Sequence, residues 1–265
     1  MRTRMADYLL EVAGARRTPE LNRHLALLLA LVAGILNSVG FVAVSVYTSH
    51  MTGLTATVAD AIVLWRPAVV LSGVIAIASF VAGAMGCALI FNWGRRRGLH
   101  SRYANVLLVE GGMMLLFGLL AEALTWEYRH LVFIAVLCFT MGLQNATITK
   151  ISGATIRTTH VTGMVTDIGI ELGKMAYRNR LADADPVVGD RTKLTMHASL
   201  VGLFFLGGMI GAAGYLWIGF VFLVPTALVL LVATYRPLAD DVRTALLARR
   251  RAGAADLSSG PDRRR

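Results

Sequence analysis

The chain has 265 residues, of which 56% are hydrophobic and 16% charged, against about 25% charged in a soluble domain. That composition excludes an ordinary soluble globular protein, and the long uncharged runs between clustered charges suit lipid. The net charge of +10 would argue for nucleic acid in a soluble chain. Here the basic residues flank apolar runs and no basic face carries interleaved aromatics, so they set orientation and meet anionic headgroups instead.

Met1 to His24 is charged and weakly amphipathic, without the apolar core and small-residue site of a cleavable signal; it is expected as a cytoplasmic lead-in. Six runs are long enough to cross a bilayer: Leu25 to Tyr47, Ala68 to Trp93, Val106 to Leu124, Leu131 to Thr147, Leu194 to Ala213 and Tyr215 to Thr234. The end of the first, Phe41 to Tyr47, alternates β-branched residues and is expected to become extended. Two further segments, Met51 to Leu64 and Val161 to Ala176, are too short to span and carry acidic residues. A basic tail, 236–265, is expected to be disordered after at most a surface helix.

Basic loops prefer the cytoplasm. The N-terminus, Arg95 to Arg102, Arg178 to Lys193 and the tail share that side only if neither short segment crosses. The expected fold is therefore all-α and polytopic: about six transmembrane helices plus two short half-helices, both termini inside, in the cytoplasmic membrane. The membrane domain covers 25–235, as one unit over 25–125 and a second over 131–235.

Those two units repeat one phrase. Ser49-His50-Met51-Thr52-Gly53 reappears as Thr159-His160-Val161-Thr162-Gly163. Upstream, Gly34-Ile-Leu-Asn37 pairs with Gly142-Leu-Gln-Asn145; downstream, Phe80-Val-Ala-Gly83-Ala-Met-Gly86 pairs with Phe205-Leu-Gly-Gly208-Met-Ile-Gly211. Three matches in one order indicate duplication. Three spans per unit is an odd number, so the second unit enters from the opposite side: an inverted 3+3 repeat, the architecture of many secondary transporters.

The second unit carries a resemblance. Gly142-Leu-Gln-Asn145-Ala146, then Ile151-Ser-Gly153-Ala-Thr-Ile-Arg157-Thr-Thr-His160-Val-Thr-Gly163-Met-Val-Thr-Asp167-Ile-Gly169, resembles the YoaK-like family of bacterial membrane proteins, also called the DUF1275 family. The resemblance runs from Leu25 to Tyr235 and implies a polytopic bacterial membrane protein without implying a defined activity. Relatives often carry an acidic residue where Asn37 stands and asparagine where Leu54 stands.

A helix that begins inside a bilayer leaves backbone N–H groups unpaired. Thr52 and Thr162 are placed to cap them with their hydroxyls, and Gly53 and Gly163 to admit close backbone approach. The same amide ends can receive a polar or anionic solute, with His50 and His160 as ligands or proton carriers. Asn37, Gln144 and Asn145 either hold interhelical hydrogen bonds or face that solute.

Asp167, Glu171 and Lys174 share one helical face, with Glu171 and Lys174 spaced to pair and Asp167 left for Arg157, a threonine or a cation. Asp167, Glu171 and Asp60 are the candidates for proton or ion coupling. Cys87 and Cys138 lie inside apolar runs and read as core residues; no metal-ligand spacing occurs, and no metal or cofactor is expected.

The function these features support is a small-solute transporter with a midplane site between the two half-helices. A channel, or a non-transporting scaffold or sensor, stands as the alternative. No nucleophile–base pair or phosphate loop points to an enzyme. The expected partners are the lipid bilayer and a small solute or ion, with homo-oligomerisation left open.

Overall fold

The computed structural model describes residues 19–99, 101–152, 158–180 and 185–258. Among them the chain is helical, without strands. The elements are α1 (Pro19–Val44), α2 (Met51–Val63), α3 (Pro67–Arg96), α4 (Arg102–Leu120), α5 (Arg129–Ile151), α6 (Val161–Ala176), α7 (Arg191–Ile218) and α8 (Leu223–Ser258), with 3-10 turns at Ala121–Ala123 and Gly219–Phe222.

Five stretches are long and apolar enough to cross a bilayer: Glu20–Val44, Pro67–Arg96, Arg102–Ala123, Arg129–Ile151 and Arg191–Thr244. The fold is thus that of a multi-pass membrane protein. The six spans expected from sequence meet five such stretches, the last holding two helices. It is 54 residues long, roughly 80 Å as one helix against a hydrocarbon core of about 30 Å. The break falls at Gly219, whose φ of 65° needs a residue without a Cβ, and not at Gly214 as the sequence run had it. Gly214 is inside α7, where the Phe222 ring occupies the space a Cβ would take.

The helix ends have local causes. Pro67 opens α3 where no N–H is needed, and Asp190 caps α7 by accepting from the N–H groups of Thr192 and Lys193 at 2.8 and 3.0 Å. The first span stays helical through Val44 despite its β-branched residues, because α1 is packed along its length; Ser45, Val46 and Tyr47 lie outside it, Ser45 at φ 55°. Helix α8 runs on through Pro237 to Ser258, in a stretch rich in alanine and leucine. Asp241 ties it back to the start of α4 by accepting from the Ser101 N–H at 2.8 Å.

Packing orders the helices in a row: α6 on α7, α7 on α1, α1 on α5, α5 on α3, and α3 on α2, with α4 against α3, α5 and α8. Two of these contacts are close crossings made by glycine. A Cβ on Gly83 of α3 would collide with the Phe139 carbonyl of α5, and one on Gly142 with the Phe80 carbonyl. At the other crossing, a Cβ on Gly207 of α7 would strike the Leu31 carbonyl of α1, and one on Gly34 the Phe204 carbonyl. Backbones meet this closely only where the side chain is a hydrogen. The two crossings use the same offsets, which puts Gly83 opposite Gly207 and Phe80 opposite Phe204.

Candidate functional site

The first copy of the repeated phrase sits where α1 ends and the chain turns back. Thr48 is fully buried, and Ser49 is held by Asn37, whose Oδ1 accepts from the Ser49 N–H at 3.1 Å and from its hydroxyl at 2.9 Å. From there α2 runs alongside the first half of α3, with Val58 against Gly73 and Leu54 against the cluster of Ala76, Ile134 and Cys138. Thirteen residues make about 20 Å of helix, less than half the length of α3. The N-terminal end of α2 therefore lies near the middle of α3.

The second copy has the same tether. The Thr159 hydroxyl donates to Asn145 Oδ1, Thr158 is fully buried, and α6 then runs along the first turns of α7. Arg157 lies outside the described residues.

Both half-helices begin in one way, and it is not the way expected. The N-cap residues are His50 and His160, neither of which makes a side-chain capping bond. Thr52 and Thr162 are the second helical residues, too far along to cap, and both are exposed. Their glycines are needed for a different reason. The His50 ring lies where a Cβ on Gly53 would go, and a Cβ on Gly163 would come 3.1 Å from His160 Nδ1.

The three amides are structural ties. Besides the two asparagine tethers, the buried Gln144 donates from Nε2 to the Leu29 carbonyl at 2.9 Å, joining α5 to α1, and Asn145 donates back to the Met141 carbonyl at 2.9 Å.

Among the described residues the half-helices do not pack on each other. They stand at opposite ends of the helix row, α2 on α3 and α6 on α7. The candidate site accordingly divides in two. At the first copy, a groove of about 530 Å³ is lined by Tyr47, His50, Gly53, Thr57, Ser72 and His130 among apolar side chains. Tyr47 is stacked on Phe41 with ring centroids 4.2 Å apart, and the strained Ser45 is on the rim. His130, from the start of α5, is the residue the sequence did not single out; it was read as part of an interfacial turn. Only the packing of α5 on α3 brings it opposite His50.

At the second copy the groups are charged. Glu171 is buried and pairs with Lys174 at 2.9 Å, as their spacing indicates. Its other oxygen accepts from the Asp190 N–H at 2.8 Å. That backbone bond, followed by the Lys174 ammonium, holds the Glu171 carboxyl below its usual range. Asp167 is not left open. Its carboxylate meets Lys193 Nζ at 3.1 Å and lies 3.7 Å from His197 Nδ1, and Lys193 reaches Glu171 at 3.9 Å. Lys193 and His197 were missed, although their spacing of four residues puts both on one face of α7. Asp60 is exposed on α2 and takes no part in this cluster. Among the described residues no three metal-ligating side chains converge.

No curated protein and no solved structure matches this chain. Residues 25–235, the stretch that holds all the tethers, crossings and half-helices described above, match the family described as "Protein of unknown function (DUF1275)". The chain belongs to the DUF1275 family.

Proposed function

We propose that the protein carries a small polar solute across the cytoplasmic membrane, as six spans in two units of opposite orientation, with both termini inside. The sixth span comes from dividing Arg191–Thr244 at Gly219, and the basic loops then share the cytoplasmic side. The opposite orientation rests on paired contacts: Asn37 with Ser49 and Asn145 with Thr159, and Gly34 with Phe204 as Gly142 with Phe80.

The observation that carries this reading is the groove at the uncapped start of α2, whose lining includes His50, His130, Thr57 and Ser72. Helix starts within a membrane domain, held open by irregular backbone, are how transporters of inverted-repeat design bind solute. The solute contacts are assigned to this groove, since α2 and α6 are at opposite ends of the row. The charged cluster of Asp167, Glu171, Lys193 and His197 then serves as the coupling element on the second unit.

Flux in proteoliposomes tests the reading. Wild-type protein should accumulate at least one member of a broad solute panel, with or without a pH gradient. His50→Ala and His130→Ala should each lower that flux. A wild-type protein that moves nothing across the panel overturns transport, and single-channel currents would replace the carrier with a pore.

A further inference from the structure

A carboxyl group lies inside the bundle with nothing to hold it. Glu110, on α4, has no exposed surface, and neither of its oxygens has a hydrogen-bond partner among the described residues. It is one turn from Val106, which packs with Cys87 of α3 and Leu143 of α5, so Glu110 faces the seam where these helices meet. An ionised carboxylate without donors in such a place is strongly disfavoured.

The charges around it are few. From α3 comes the buried Cys87, whose Sγ is 3.5 Å from Thr147 Oγ1 of α5. From α5 comes Lys150, one turn past Thr147, with Nζ 5.0 Å from the Phe91 ring centroid. On α4 itself Arg102 and Tyr103 lie two turns earlier, with the Arg102 guanidinium 5.7 Å from the Phe91 ring. Helix α8 brings only Leu231 and Ala227 beside Gly111; its Asp241 is engaged with Ser101 at the mouth. The 3-10 turns are at the far end of α4, where Glu122 accepts from the Phe220 N–H at 3.1 Å.

We propose that Glu110 is a proton-binding site within the membrane domain. The site is separate from the histidine groove and from the Asp167 cluster, and it stands whether or not the groove carries a solute.

The test is infrared titration of purified full-length protein in lipid, with glutamate isotopically labelled. At neutral pH the wild type should show a protonated carboxyl C=O band that disappears at alkaline pH. Glu110→Gln should lack that band, and Glu110→Asp, which keeps the acid, should show it without the isotope shift. No protonated band in the wild type, or a band that persists unchanged in both Glu110 variants, overturns the site. A band removed at constant pH by sodium or potassium makes it a cation site and overturns the proton.

Discussion

Gly142 of α5 lies directly against the carbonyl oxygen of Phe80 in α3, so closely that no side chain fits between them. Gly142→Ala should force the two helices apart and destabilise the protein by ~1–3 kcal/mol, the usual cost of overpacking a tight contact. Gly34→Ala should do the same at the α1–α7 crossing, where Phe204 is the obstacle. Gly169, with nothing near its missing Cβ, is the control: Gly169→Ala should leave stability unchanged or raise it by up to ~1 kcal/mol through helix propensity. Thermal unfolding in detergent measures all three.

Asn37→Ala should release the re-entrant loop. It strips the acceptor from both the N–H and the hydroxyl of Ser49, and leaving such donors unsatisfied costs ~1–3 kcal/mol. Asn145→Ala should have a parallel effect through Thr159. Hydrogen exchange read by mass spectrometry should show faster exchange at the start of α2 in the first variant and of α6 in the second, each without the other.

Acid should loosen the packing of α6 on α7. Glu171 has its carboxyl held below the ordinary value of 4.5 in the folded chain, so the unfolded state binds the proton more readily. The stabilisation is fully present above the ordinary value and is lost as pH falls through the lower folded one. Glu171→Gln should flatten that acid limb. Exchange rates in α6 across an acid series measure it, and an unchanged limb in the variant would assign the acid sensitivity elsewhere.

Trp65 closes α2 with 90% of its surface exposed and φ 53°, and Tyr177 follows the end of α6. The opposed units proposed above would put these two residues on opposite faces of the membrane. Single cysteines at the two positions, with the buried Cys87 and Cys138 replaced by alanine, should label from opposite sides with an impermeant thiol reagent. Labelling from one side would remove the opposed arrangement.

Much of this was legible in the sequence because it depends on local chemistry. Apolar run length marked the spanning helices, and the limits of α2 and α6 followed from where the polar phrase interrupts the grease. The spacing of Glu171 and Lys174 named their pair, since three residues apart on a helix is a contact whatever surrounds it. The order of three short matches pointed to a duplication, but not to which glycine crosses α1: Gly207 and Gly208 are interchangeable in text, and only the fold sets Gly207 against the Leu31 carbonyl.

What tertiary structure decided are relations between residues far apart in the chain. Nothing in the order of residues says that α3 packs on α5 and α7 on α1, and that choice sets α2 and α6 at opposite ends of a row. It brings His130 to His50, gives Asp167 to Lys193 and His197, and leaves Glu110 without a partner. A sequence determines which groups need burial or a counter-charge; which group meets that need depends on helix faces brought together by close packing across long separations.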